Sequence, residues 1–142
     1  MNWSDVSFAP ELAGSSDLNL AGSLYLNPQM EISYDGQIYF SATGEGHEIR
    51  TGGHELHSDL IFIGTATWNL LEPLDAGDHT IHFYRGNLNM AGHTIRCGDF
   101  SSATNYGRSL LASNAQIILT KDNSHWEVND QLVFDAANSS VI

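Results

Sequence analysis

Histidine is the residue type in this sequence with the clearest capacity for chemistry. His47, His54 and His57 lie close together, with Glu48 and Glu55 beside them. Imidazole and carboxylate groups are ligands of zinc and similar ions. The helical zinc spacing, two histidines at i and i+4 with a glutamate between them, is absent, and His54 and His57 would point to opposite sides of a strand. A metal site at His47, His54 and His57 therefore requires a turn that brings them together, and solvated turn positions are the alternative.

Calcium is the second ion that the sequence could bind. Carboxylates at turns can converge with backbone carbonyl groups on Ca²⁺. Many aspartates lie at or beside predicted turns: Asp17, Asp35, Asp75, Asp78, Asp99, Asp122, Asp130 and Asp135. The stacked calcium-binding repeat Gly-Gly-x-Gly-x-Asp is not present. Aspartate is also a common turn residue because its side chain bonds the nearby backbone, so we expect no cofactor, with calcium as the alternative.

Four aromatic residues are the candidate ligand-binding groups: Trp68, Tyr84, Tyr106 and Trp126. Flat aromatic faces can stack on sugar rings when they are exposed to solvent. Tryptophan at repeat spacing is more typical of core or corner packing. Exposure of these four side chains therefore decides whether they bind a ligand or hold the fold together.

No catalytic motif accompanies these residues. The Gly-x-Ser-x-Gly sequence that presents a nucleophilic serine is absent. A glycoside hydrolase needs two carboxylates at a set distance across a cleft, which a sequence does not reveal. Enzymes that cleave uronate chains on β-helices hold them with Arg or Lys, whereas the five basic residues here are scattered. We therefore predict a non-enzymatic protein without catalytic residues, and a glycan-active enzyme is the second alternative.

Short apolar runs recur about every twenty residues, a spacing typical of solenoids. The runs at 37–40, 79–83 and 116–120 are rich in β-branched or aromatic residues and are bounded by turn residues. Glycines fall mainly between the runs, where tight corners need a positive φ. The pattern predicts an all-β, right-handed parallel β-helix of roughly seven coils, forming one domain over residues 1–142, with a β-sandwich as the alternative. The inward residues should include Ile81, Phe83, Ile95, Cys97, Ile117, Leu119 and Phe134.

Composition excludes several classes of partner. The net charge is −12, and the basic residues form no cationic stripe, so nucleic acid is not an expected partner. No apolar run is long enough to span a bilayer, so membrane insertion is not expected either. The terminal segments carry no helical or polar cap of the kind that closes a solenoid. This pattern predicts a fragment of a longer repetitive protein, or ends that are covered by neighbouring solenoid segments.

A family resemblance covers roughly residues 31–142 and is clearest in the second half of the chain. Its strand-like runs follow a characteristic order, at 93–95, 98–102, 108–110, 117–120, 126, 132–136 and 140–142. This order resembles the repeat units of very large, secreted, adhesin-like cell-surface proteins of bacteria, which are expected to form β-solenoids. The resemblance implies a non-catalytic structural or adhesive segment, secreted or displayed on a bacterial surface. Its partner would be a cell-surface glycan or protein, or neighbouring solenoid segments. A carbohydrate-binding module, with or without calcium, is the alternative function.

Overall fold

The computed structural model describes residues 1–5 and 8–142, and the described chain is built from strands and turns. No helix in these ranges is long and apolar enough to cross a membrane. The strands, in chain order, are β1 (Glu11–Gly14), β2 (Leu18–Leu20), β3 (Leu24–Tyr25), β4 (Glu31–Tyr34), β5 (Ile38–Phe40), β6 (His47–Arg50), β7 (Leu60–Phe62), β8 (Thr67–Leu70), β9 (Leu74–Asp75), β10 (Thr80–Phe83), β11 (Gly86–Asn89), β12 (Thr94–Cys97), β13 (Asp99–Ser102), β14 (Arg108–Leu111), β15 (Gln116–Leu119), β16 (Trp126–Val128), β17 (Leu132–Asp135) and β18 (Ser140–Val141).

The strands stack into three long parallel sheets. Sheet 1 has six strands in the order β2-β5-β7-β10-β13-β16, and sheet 2 has six in the order β3-β6-β8-β11-β14-β17. Sheet 3 has four strands, β9-β12-β15-β18, and a separate two-stranded sheet pairs β1 with β4. Each of the last four turns passes through sheets 1, 2 and 3 before the next begins one layer further on, whereas of these three sheets the first two turns contribute strands to sheets 1 and 2 only. Over the described residues the molecule is therefore a β-solenoid of about six turns, close to the roughly seven coils predicted, and its parallel pairing confirms the solenoid over the β-sandwich.

Period-two alternation along each strand separates the core from the surface. In β8, Trp68 and Leu70 are buried whereas Thr67 and Asn69 are half-buried, because successive side chains point to opposite faces of a strand. Most of the residues predicted to point inward are buried: Ile81, Phe83, Ile95, Cys97 and Ile117. Leu119 is partly buried against the core. Phe134 is 38% exposed, although it lies in register with buried Leu110.

Aromatic rings form a column inside sheet 1. Phe40, Phe62 and Phe83 occupy matching positions in three successive turns. The rings of Phe40 and Phe62 stack with their centroids 4.4 Å apart, and Phe62 meets Phe83 edge to face at 5.9 Å. The indole of Trp68 packs edge-on against Phe62 from sheet 2. Parallel stacking of identical positions thus gives the core its aromatic contacts.

Polar side chains form matching ladders on the outer surface of sheet 2. The Asn89 amide donates to the Asn69 side-chain oxygen at 3.0 Å, and the Asn87 amide donates to the Thr67 hydroxyl at 3.1 Å. Ser109 extends the second ladder by donating to Asn87 at 2.6 Å. Each ladder joins adjacent turns and so adds to the backbone pairing that holds the stack together.

Candidate functional site

A surface cavity lies at the corner where the chain passes from sheet 1 to sheet 2. Its volume is about 310 Å³, and its lining comes from three successive turns: Ile63, Tyr84, Arg85, Thr104 and Tyr106. We call it the tyrosine cavity. Two of the four aromatic residues predicted to bind a ligand, Tyr84 and Tyr106, therefore meet in one site. The solenoid brings them together by superposing corners that are about twenty residues apart in sequence.

A two-residue corner presents Tyr84 and Arg85 to the cavity. The backbone N–H groups of both residues donate to the carbonyl of Phe62, at 3.0 and 3.2 Å. The next residue, Gly86, has a φ of +85°, and a Cβ there would lie 2.6 Å from the Ala66 carbonyl oxygen. Glycine is required here because only it combines this φ with such a close backbone approach. The resulting sharp bend leaves Tyr84 and Arg85 on the outside of the corner.

A longer corner in the next turn supplies the opposite side of the cavity. The loop 103–107 carries Thr104 and Tyr106 between β13 and β14, and Tyr106 is 54% exposed. The Thr104 hydroxyl donates to the Tyr84 carbonyl at 2.9 Å, which ties this loop to the corner of the turn below it. The two tyrosines thus belong to hydrogen-bonded neighbouring turns.

Arg85 and the two tyrosines are held by specific contacts. The Arg85 guanidinium carbon lies 4.5 Å from the centroid of the Tyr106 ring, which is a cation–π arrangement. The Tyr84 hydroxyl lies 3.0 Å from Nδ1 of His82, so one of these groups donates to the other. These contacts restrict the side chains before any ligand arrives, which lowers the entropic cost of binding.

A buried arginine supports the loop from inside the solenoid. Arg108 is only 3% exposed. Its Nη1 donates to the carbonyl groups of Thr104 and Tyr106 at 3.2 and 2.8 Å. Its Nε donates to the Ser102 hydroxyl at 2.6 Å, and its Nη2 donates to the Asn129 side chain at 2.8 Å. Arg108 therefore fixes the backbone on both sides of the exposed Tyr106, and burial lowers the pKa of its guanidinium from the usual value.

The other two predicted ligand-binding residues lie away from this cavity. Trp68 is fully buried in the core, where its ring meets Phe40 and Phe62, so a ligand on the surface does not reach it. Trp126 is half-buried and stacks on Phe100, with centroids 4.6 Å apart. Trp68 thus belongs to the core and Trp126 packs partly against it, as repeat-spaced tryptophans commonly do.

The three histidines predicted as metal ligands make separate contacts. His47 lies 3.0 Å from the Thr43 carbonyl, and His54 lies 2.9 Å from the Asn27 carbonyl. His57 pairs with Glu55 at 3.0 Å. Among residues 1–5 and 8–142, no group of three or more His, Cys, Asp or Glu side chains is placed to hold a metal ion.

Turn aspartates mostly contact groups of the protein itself. Asp75 accepts from the Gly77 N–H at 2.9 Å and pairs with Arg96 at 3.1 Å. Asp99 pairs with Lys121 at 3.0 Å and accepts from the His125 N–H at 2.7 Å, and these contacts lower the pKa of its carboxyl group. A second cavity of about 470 Å³, between sheets 2 and 3, has Asp135 as its one acidic residue within the described lining.

The sequence analysis did not single out Ile63, Arg85 and Thr104 in the cavity lining, nor Arg108 beneath it. A signal for Arg108 was present, since strand alternation places it on the same face as Leu110 and Ala112, which are inward residues. The sequence offers less indication that Arg85 belongs to the site, because its place in the cavity depends on Tyr106, which lies one turn later.

The comparisons with known proteins found no relative of this chain. No protein-family model matches it. No curated protein sequence and no solved structure matches it either.

Proposed function

We propose that this chain is a non-catalytic structural and adhesive segment of a secreted or bacterial cell-surface protein. The observation that carries the proposal is the tyrosine cavity, an exposed aromatic and cationic site assembled from three successive turns of a stacked solenoid. Parallel backbone pairing between turns makes such a stack stiff along its length. A stiff body with a preformed site on its side suits a protein that holds a partner at a surface.

Surface composition supports an extracellular adhesive role. The chain contains five Lys and Arg residues and has a net charge of −12, and the outer surface of sheet 2 carries ladders of Asn, Ser and Thr. Such a surface repels nucleic acid and anionic lipid and leaves local hydrogen bonding and stacking as the means of recognition. The partner we propose is a cell-surface glycan or protein.

Adhesion of protein-coated beads to cultured cells under flow tests the proposal. Wild-type beads should be retained, and Tyr106→Ala beads should be retained about fivefold less, the effect expected for loss of an exposed aromatic anchor. Tyr39→Ala is the matched control, because Tyr39 is a half-buried tyrosine that does not line the tyrosine cavity. Equal retention of wild-type and uncoated beads would contradict an adhesive role.

A carbohydrate-binding module is the second candidate, and the pairing of Tyr84 with Tyr106 in one cavity favours it. Tyrosine rings stack on the apolar faces of sugars, and threonine and arginine beside them can bond hydroxyl groups. A glycan array probed with and without calcium separates this candidate from adhesion to protein. Binding to a sugar class that Tyr106→Ala abolishes supports it, and binding that needs calcium would add an ion requirement.

A glycan-active enzyme receives less support from this geometry. Glycoside hydrolysis uses two carboxylates that flank the bond to be broken. The described lining of the tyrosine cavity contains no Asp or Glu, and that of the second cavity contains Asp135 alone.

A further inference from the structure

We propose that the tyrosine cavity binds a single acidic sugar at the end of an otherwise neutral glycan, with Arg85 as the ligand of the sugar carboxylate. This inference rests on the proposed adhesive function and names the class of ligand that the site would take. It follows from the charge, geometry and size of the cavity.

Arg85 differs from the other basic residues in its partners. Arg50, Arg96 and Lys121 each form an ion pair with a carboxylate, and Arg108 is buried against neutral acceptors. Within the part of the chain that the structure describes, Arg85 has no carboxylate within ion-pair distance, although acidic residues outnumber basic ones by 17 to 5. A surface cation left without a carboxylate in so acidic a protein is suited to an anion supplied by a ligand.

The geometry of Arg85 favours a carboxylate over a monatomic anion such as chloride. Its guanidinium carbon lies over the Tyr106 ring, 4.5 Å from the centroid, and a cation–π contact of this kind does not use up the N–H donors of the guanidinium. A guanidinium edge matches the two oxygens of a carboxylate in a bidentate pair. The rings of Tyr84 and Tyr106 line the same cavity and can pack against the sugar ring that carries the carboxylate.

The size and charge of the molecule limit the ligand to one acidic unit. A volume of about 310 Å³ lies at the lower end of the range for ligand pockets. A polyuronate would carry many charges past a protein whose net charge is −12, and repulsion would weaken its binding. One terminal acidic sugar places a single carboxylate at Arg85 and avoids most of this repulsion.

Matched pairs of acidic and neutral sugars test the proposal by isothermal titration of the whole chain. The probes are sialyllactose against lactose, methyl glucuronide against methyl glucoside, and acetate alone. We expect at least one acidic sugar to bind about tenfold more tightly than its neutral partner, and acetate to bind more weakly than that acidic sugar.

Variants then assign the preference to Arg85. Arg85→Gln should reduce the affinity for the acidic sugar to that of its neutral partner. Arg85→Lys should retain part of the acidic preference, because lysine keeps the positive charge but lacks the two parallel N–H donors of arginine. Arg50→Gln is the matched control, since Arg50 is an exposed arginine already paired with Glu72. Circular dichroism of each variant verifies that the β-structure is intact.

Three results with the sugar pairs would overturn the inference. They are equal affinity for both members of each sugar pair, no binding of either acidic sugar, or an acidic preference that survives Arg85→Gln. Each is distinguishable from failure of the adhesive function, because adhesion is read from the retention of wild-type beads on cells. That retention does not require the partner to be acidic. Acetate binding as tight as that of the acidic sugars would also overturn it, since the site would then be an unselective carboxylate site.

Discussion

Arg108 occupies the same interior position as Gly86, one turn further along the stack. The two residues are register partners in the parallel pair β11 and β14. In the turn that contains Gly86 this position holds no side chain, because carbonyl groups of Ala66 and Gly64 fill the space. In the next turn it holds a guanidinium that bonds the loop carrying Tyr106. The same position in successive turns thus forms a tight corner at Gly86 and supports a longer loop from inside at Arg108.

Replacing Arg108 with methionine should destabilise the protein by about 2 to 4 kcal/mol. Methionine fills the apolar part of the arginine site but removes the donor of the buried Ser102 hydroxyl and of the part-buried Thr104 and Tyr106 carbonyl groups. Polar groups held away from water without a partner are costly. Urea unfolding followed by circular dichroism measures the change. Arg50→Met, at an exposed ion pair of 3.8 Å, should cost less than about 0.5 kcal/mol. Equal midpoints for the two variants would show that Arg108 does not support the loop.

Gly86→Ala should be more destabilising than Gly44→Ala, although both glycines have a similar positive φ of +85° and +88°. A Cβ at Gly44 meets nothing within 4 Å, whereas a Cβ at Gly86 meets the Ala66 and Gly64 carbonyl oxygens at 2.6 and 2.7 Å. We expect about 1 kcal/mol at Gly44 from the left-handed backbone alone and about 3 kcal/mol at Gly86. Thermal unfolding compares them, and a similar loss at both would mean that the corner relaxes freely.

Asp99 should make stability depend on pH in the acidic range. Its pKa lies below the usual value because the His125 N–H and the Lys121 ammonium bond its carboxylate. The unfolded chain then binds more protons than the folded chain as the pH falls, so the stabilisation is present above the unfolded pKa of about 4 and is lost towards the folded pKa. Asp99→Asn should therefore flatten the fall in unfolding free energy below about pH 4.

Lys121→Gln provides the control for this pH dependence. It removes one partner of Asp99 but keeps the bond from the His125 backbone, which is the largest cause of the lowered pKa. Urea titrations at a series of pH values should then give a slope between those of the wild type and Asp99→Asn. A wild-type slope identical to that of Asp99→Asn would refute the role of Asp99.

Cys97 should be unreactive in the folded protein. Its side chain is fully buried, and burial together with the nearby Asp99 and Asp75 carboxylates raises the pKa of the thiol to about 12. At about pH 8 the thiolate, which is the reactive species, would make up roughly one part in ten thousand. A disulfide reagent should label the chain in concentrated urea and spare it in buffer. Rapid labelling in buffer would show that β12 opens far more often than the rest of the core.

Some elements of the site were predictable because their signals are local. Alternation over Thr80–Phe83 and Thr94–Cys97 identifies the inward residues from neighbouring positions alone. Exposure of Tyr106 and burial of Trp68 were not predictable in the same way. Both are aromatic residues at repeat spacing, and what separates them is that Trp68 lies within a strand whereas Tyr106 lies on a loop between strands.

By itself, the sequence determined the class of fold, because strand alternation and glycine-rich turns are read from adjacent residues. Tertiary structure alone decided which residues share the tyrosine cavity. Ile63, Arg85 and Tyr106 meet because three corners of unequal length are superposed, and that register depends on backbone pairing between whole turns. The separation of His47, His54 and His57 was decided in the same way, since each contacts a different part of the stack.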